Sequence, residues 1–173
     1  MKHGFLKVAA ACPNVAITDC SKNAEEMITL APSAYKEGVR VLVFPELSIT
    51  GYTCADIFYS DFLIKRAEAS LATYLAKSKI GDMISIIGIP IFVNDKIYNC
   101  VVFCQNKQIL GVVPKMNLQN HSGFCEGRYF AEFSGSSKYI TLCGATVPFG
   151  DKLIFACKDI PSLKIGIEIC EDS

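Results

Sequence analysis

Histidine is almost absent from this sequence: His3 and His121 are the only two. A histidine-based zinc site therefore has little to draw on, and a Ser/His/Asp or Cys/His triad would have to use one of this pair. No CxxC pair occurs; the nearest cysteines, Cys100 and Cys104, have no histidine close in sequence, and no bound metal is expected. Charge of one sign is also lacking. Lys plus Arg and Asp plus Glu both number 17, the formal net charge is zero, and no stretch is strongly basic. That argues against nucleic acid or an anionic membrane surface as partner. No apolar run approaches the ~18 residues that span a bilayer. The opening stretch from Met1 to Cys12 has some flavour of an export signal. Lys7 interrupts it, however, and an ordinary first strand fits better. With no export signal, the nine cysteines are expected to be reduced thiols of a cytoplasmic protein.

What is present suits one domain spanning residues 1–173. Apolar residues make up 51% and charged residues 20%, enough for a sizeable core. Phe5 to Cys12 reads as a strand ending at Pro13. Asn23 can cap a helix with Glu26 three residues on, running to Glu37 and stopped by Gly38, with Pro32 expected to kink or split it. Arg40 to Phe44 is a continuous apolar run, the mark of a strand buried on both faces. A turn at Gly51–Cys54 precedes a helix from Asp61 to about Lys79. Met83–Val93, Lys96–Cys104 and Gln108–Val113 form a meander, turned by Asn94-Asp95 and Asn106-Lys107. Residues 116–137 read as a long surface loop of the kind that carries function. Tyr139–Cys143, Leu153–Cys157 and Leu163–Ile169 are further short strands. Strand-helix-strand-helix followed by a meander is an α/β pattern with a mixed sheet.

Three polar residues follow apolar strands in the same manner: Glu46, Lys115 and Cys170. The first two come directly after a proline, and Cys170 stands where the alternating isoleucines of the last strand give way to acids. In open α/β sheets, ligands gather beyond the carboxyl ends of the strands. A thiol lifted clear of a sheet at a strand-to-turn junction is placed as hydrolases place a nucleophile. With histidine scarce, its base would be a carboxylate. Glu46 can take the thiol proton and return it to a leaving amine, and Lys115 can offset the charge of a tetrahedral oxyanion. Each residue also has a plain reading: a core thiol, a helix-capping or surface acid, a solvated loop lysine.

The words around these residues resemble the nitrilase superfamily of carbon–nitrogen hydrolases. They are Phe44-Pro45-Glu46-Leu47-Ser48-Ile49-Thr50-Gly51-Tyr52, Val113-Pro114-Lys115 and Gly166-Ile167-Glu168-Ile169-Cys170-Glu171-Asp172. The branch looks like the glutaminase domain of glutamine-dependent NAD⁺ synthetases. That rests on Gly51-Tyr52-Thr53-Cys54-Ala55-Asp56, Glu126 ahead of Arg128-Tyr129-Phe130, and Val147-Pro148-Phe149-Gly150. The resemblance implies a four-layer α-β-β-α sandwich and a catalytic set of Glu46 as base, Lys115 as oxyanion stabiliser and Cys170 as nucleophile. It implies L-glutamine as substrate, with Tyr52, Glu126 and Glu171 at the substrate and Glu126 also a second acid beside Lys115. It also implies no cofactor in this domain, ATP and Mg in a synthetase domain of the same parent chain, and a homo-oligomer. Where the branch carries an aromatic-rich word with a tyrosine after Lys115, this chain has His121-Ser122-Gly123-Phe124-Cys125.

The family sandwich continues past the cysteine, so the sequence is expected to hold its N-terminal part, with the last strand an exposed sheet edge. The implied activity is thus that of the parent protein, and activity of the part alone stays open. Two alternatives also stay open: a stand-alone amidase on another small amide, and a non-catalytic fragment serving in assembly.

Overall fold

The computed structural model describes residues 5–173. Its elements in chain order are β1 (Val8–Ala10), α1 (Cys20–Lys36), β2 (Val41–Val43), α2 (Asp61–Lys77), β3 (Ile84–Val93), β4 (Lys96–Gln105), β5 (Gln108–Pro114), β6 (Lys138–Leu142), β7 (Ala145–Phe149), β8 (Phe155–Ala156) and β9 (Lys164–Ile165). Seven strands form one mixed sheet in the order β1-β2-β3-β4-β5-β7-β6; β8 and β9 form a separate two-stranded ribbon. The first three strands run parallel, joined by helical crossovers, and β3-β4-β5 is an antiparallel meander. The meander's turns fall on Asn94-Asp95 and Asn106-Lys107, all four at positive φ, as two-residue hairpin turns require.

Alternation along the strands divides the sheet into two faces. On the helix face, Leu42, Ile87, Ile89, Cys100 and Val102 pack with Met27 and Ala31 of α1 and Leu71 and Tyr74 of α2. The Tyr74 hydroxyl reaches Ser85 Oγ at 2.7 Å, so even the polar atoms of that layer are paired. On the second face, Val41, Ile86, Val101 and Phe103 form a smaller cluster. It is covered by Leu6 and by the carboxyl-terminal segment, where Phe155 stacks on Phe103 with centroids 3.9 Å apart and rests over Gly111.

Three expectations from the sequence are corrected. Helix α1 begins at Cys20, capped by Asp19, whose side chain accepts from Lys22 N; Asn23 lies inside it. The Asn23 amide is buried and bonds Ala16 and, across the fold, Ile49 O, so it serves loops rather than a helix end. The helix also runs through Pro32 without splitting, with Met27 and Ala31 anchoring it in the core. Second, β2 is not buried on both faces throughout: Val43 is exposed on the second face. Third, Leu163–Ile169 is not a strand of the main sheet. Only Lys164–Ile165 pairs, with β8, while Ile165, Ile167 and Ile169 lay their side chains on the second-face cluster. The alternation is real, but it serves adhesion to a sheet face instead of pairing at its edge. Strand β7, which the sequence pattern did not single out, is the parallel neighbour of β5 through Val112 and Phe149.

Among the described residues, no helix is long and apolar enough to cross a membrane. Also among them, no three His, Cys, Asp or Glu side chains converge as metal ligands.

Candidate active site

The site lies on the second face, where two chain segments leave the sheet and a third lies against it. The first is the segment after β2. Phe44 N donates to Ile86 O, and the chain then turns tightly over Gly88: Ser48 N bonds Pro45 O, and Ile49 N and Ser48 Oγ both bond Gly88 O. Leu47, at the turn, has positive φ (51°). The approach is so close that a Cβ on Gly88 would lie 2.4 Å from Leu47 N and Pro45 O. Only glycine lets the backbone pass here, and this passage sets Glu46 at the sheet surface.

The second segment begins at the end of β5. Lys115 N donates to Asn99 O, continuing the ladder one residue past Pro114. The Lys115 side chain is completely buried, and its Nζ bonds Glu46 Oε1 at 2.7 Å and both oxygens of Glu126 at 2.9–3.0 Å. Glu126 opens a single 3-10 turn inside the loop that follows β5. Its carboxylate also accepts from Gln119 N at 2.7 Å and from the Tyr52 hydroxyl at 2.7 Å. One ammonium thus sits between two carboxylates, removed from water, where each charge needs the others.

The two carboxyls respond in opposite directions. Burial holds Glu46 above its ordinary value, against the pull of Lys115 and Asn99. Burial also opposes ionisation of Glu126, but the Gln119 N–H, then Lys115 and Tyr52, bring it below the usual carboxylate range. Lys115 would lose its proton more readily on burial alone; its bonds to the two glutamates raise its pKa instead. The arrangement therefore offers one carboxyl poised to take and release a proton and one that stays ionised. Burial, the Glu126 bond and the nearby carboxylates of Glu126 and Glu46 push the Tyr52 phenol above its ordinary range.

The third segment carries Cys170, which is exposed and has φ of 53°. A non-glycine residue in that region is strained, and the strain falls where the segment lying on the sheet passes into a 3-10 turn. Ile169, just before it, is buried in the second-face cluster. Just after it, the Asp172 carboxylate accepts from Met116 N at 3.0 Å, Asn117 N at 2.7 Å and Ile169 N at 3.3 Å. Met116 is the residue following Lys115, so Asp172 ties the cysteine's turn to the lysine's segment. Asn117 Nδ2 adds a bond to Glu171 O, while the Glu171 residue is itself exposed.

Of the residues singled out from sequence, Glu46, Lys115, Glu126 and Tyr52 form one continuous hydrogen-bonded set. Cys170 is brought alongside through Asp172, and Glu171 makes only its backbone contact. Two positions that join the candidate site were not singled out from sequence: Asp172, and Asn99, whose Nδ2 donates to Glu46 Oε1 at 2.6 Å. Asn99 had a signal, being an amide within the apolar run of β4. The loop word after Lys115 places Phe124 edge-on against Tyr52, centroids 5.7 Å apart, so an aromatic does stand over the site.

Comparison with known proteins identifies the family. The family model described as Carbon-nitrogen hydrolase matches residues 7–173. A glutamine-dependent NAD(+) synthetase of Mycobacterium tuberculosis is 34% identical over 171 residues, 99% of this chain and 25% of the relative. The Homo sapiens protein of the same description is 30% identical over 175 residues, 95% of this chain and 24% of the relative. The chain thus spans about a quarter of the length of these curated relatives. Among solved structures, a glutamine-dependent NAD(+) synthetase from Cytophaga hutchinsonii superposes with a TM-score of 0.87 at 28% identity. It is matched over 97% of this chain and 28% of that one. An amidase from Nesterenkonia sp., at 15% identity, shares the fold with a TM-score of 0.65 over 86% of this chain and 56% of its own. The chain belongs to the carbon–nitrogen hydrolase family.

Proposed function

We propose that the chain is the glutamine-hydrolysing part of an NAD⁺ synthetase, with Cys170 as nucleophile, Glu46 as general base and acid, and Lys115 as oxyanion stabiliser. The observation that carries this reading is the Glu46–Lys115–Glu126 set on the sheet beside a cysteine held at positive φ. Cys170 Sγ attacks the side-chain amide carbon of glutamine while its proton passes to Glu46. Lys115 Nζ faces the oxygen that becomes negative, where a preorganised donor is worth ~10²–10³ in rate. The C–N bond then breaks as Glu46 returns the proton to nitrogen, releasing ammonia. Water, deprotonated by Glu46, attacks the thioester, and glutamate leaves as the C–S bond breaks and the sulfur regains a proton.

Ammonia would pass to a synthetase domain of the same parent chain, which would use ATP and Mg²⁺ to amidate deamido-NAD; no residue of this chain is assigned to either. The relatives' names supply that part of the reading, as does the similarity to them along the chain. Free thiols at all nine cysteines suit a cytoplasmic enzyme, and a homo-oligomer belongs to the same proposal.

The test is labelling of the full-length gene product with a glutamine-like diazoketone, located by peptide mass spectrometry. Labelling confined to Cys170 is expected. Cys170→Ser and Glu46→Gln are expected to abolish glutamine-dependent synthesis while ammonia-dependent synthesis persists. Labelling spread over several cysteines would overturn the nucleophile. Hydrolysis of small amides but not glutamine would point to an amidase of other specificity.

A further inference from the structure

Asn99 occupies the centre of β4, opposite Pro90 of β3, and is completely buried. Val101 and Phe103, two and four residues on, point to the same face and are apolar. By that alternation an apolar residue belongs at 99 as well. The amide that stands there instead makes one side-chain bond, from Nδ2 to Glu46 Oε1 at 2.6 Å; its Oδ1 is buried and has no partner. A buried acceptor left unpaired is costly, and native folds tolerate it mainly where the group has another task. The backbone of the same residue holds Lys115, whose N–H donates to Asn99 O at 2.8 Å. Asn99 therefore fixes the base through its side chain and the lysine through its main chain.

The consequence lies in which oxygen of Glu46 is occupied. Lys115 Nζ at 2.7 Å and Asn99 Nδ2 at 2.6 Å both bond Oε1, whereas Oε2 has no partner among the described residues. We propose that Asn99 is a positioning residue that, with Lys115, fills Oε1 of Glu46 and reserves Oε2 as the oxygen that carries the proton. In each half-reaction the proton moves from Cys170 Sγ to Oε2 as the C–S bond forms, and from Oε2 to nitrogen as the C–N bond breaks. It then moves from water to Oε2 as the thioester is attacked, and back to sulfur as glutamate leaves. Without Asn99 the carboxylate can rotate about its last bond and present either oxygen. It also loses a donor that favours its charged form.

This inference rests on the hydrolase reading, and the experiment separates the two. Asn99→Leu in the full-length gene product keeps the branching of the side chain in a somewhat larger group, removes the donor and removes the orphan oxygen. Its melting temperature is expected to equal or exceed that of the wild type. Its kcat for glutamine is expected to fall roughly 10²-fold with KM changed less than about threefold, as for a misplaced base. The acid limb of kcat/KM moves to higher pH, because a donor to the ionised carboxylate is gone. Asn99→Asp, which sets a second carboxyl against Glu46, moves that limb further. Asn99→Ser, smaller and still a hydroxyl donor, gives an intermediate limb and serves if leucine does not pack.

The same limb, read from the rate of Cys170 alkylation by iodoacetamide, needs no substrate. Wild-type protein inert to glutamine would sink the functional reading but leave this limb to decide the role of Asn99. A wild-type limb in all three variants, or activity that falls only in step with folded fraction, would overturn the proposal.

Discussion

Glu46, Lys115 and Glu126 are held by the main sheet and by one another, whereas Cys170 rides on a segment that touches the sheet at few places. The first group has a fully buried ammonium, two carboxylates and donors from Asn99, Tyr52 and the Gln119 backbone. The second has an exposed thiol on a single 3-10 turn, behind a ribbon of two-residue strands. Its anchors are the Phe155–Phe103 stack, Ile169 in the second-face cluster and the Asp172 carboxylate. Acid–base chemistry needs a water-poor, rigid setting to keep its charges paired, while a nucleophile must meet an incoming substrate at the surface. The comparison teaches that folding stability and the placement of Cys170, the proposed nucleophile, are carried by different contacts here. Substitutions should separate them.

Lys115→Met should break the first region most severely. Removing the cation leaves two carboxylates facing each other, a loss of about 3–5 kcal/mol in urea unfolding at neutral pH. Without lysine both carboxyls are held above their unfolded values. The stability of their protonated forms is then fully present below those unfolded values and lost as pH rises through the folded ones. The deficit should therefore shrink on acidification, and a deficit independent of pH would mean the carboxylates were never confined. In the wild type the two acids oppose each other. The lowered Glu126 contributes stability that is lost as pH falls, and the raised Glu46 contributes stability that is lost as pH rises.

Gly88→Ala should strike at the support beneath Glu46. Its Cβ would meet backbone atoms of Pro45 and Leu47, which cannot swing aside, for a cost near 3 kcal/mol, the upper end for overpacking. Both the melting temperature and the proposed glutaminase turnover should drop, since the displaced segment carries Glu46, the proposed base.

Asp172→Ala sharpens the comparison from the other side. The fold should lose only ~1 kcal/mol, as when a cap is removed. Yet kcat/KM should fall about 10²-fold because Cys170 is no longer registered against the Lys115 segment. Calorimetry alongside steady-state assays would show it. A large melting loss with small loss of activity would mean the two regions are one unit. The smallest effect is expected for Tyr52→Phe, which removes one donor to Glu126 while Gln119 and Lys115 remain; about 1 kcal/mol should appear in unfolding.

The legible parts of the sequence were those whose cause is local. Asn94-Asp95 and Asn106-Lys107 announce hairpins because the required positive φ is a property of those residues themselves. Glu46 and Lys115 stood out because each follows a proline that ends an apolar run. The illegible parts depend on partners distant in the chain. Asn23 reads as a cap by spacing, but its amide bonds Ile49 O, 26 residues away. The isoleucines of 163–169 read as a sheet strand, yet pattern alone does not say whether an apolar row pairs or merely adheres. Asp172 looked like one of two acids after the cysteine until its carboxylate met the Met116 and Asn117 backbone, 55–56 residues away.

The sequence by itself determined the α/β class, the meander, the residue types available for chemistry and, through its motif words, the family. Strand period, turn conformation and the scarcity of histidine are written in neighbouring residues. Tertiary structure alone decided that both oxygens of Glu126 reach the ammonium of Lys115, that Asn99 and Lys115 fill the same oxygen of Glu46, and that Gly88 must be bare for the chain to pass. Each of these is a meeting of atoms from segments 11 to 69 residues apart, fixed by sheet register and close packing rather than by any local preference.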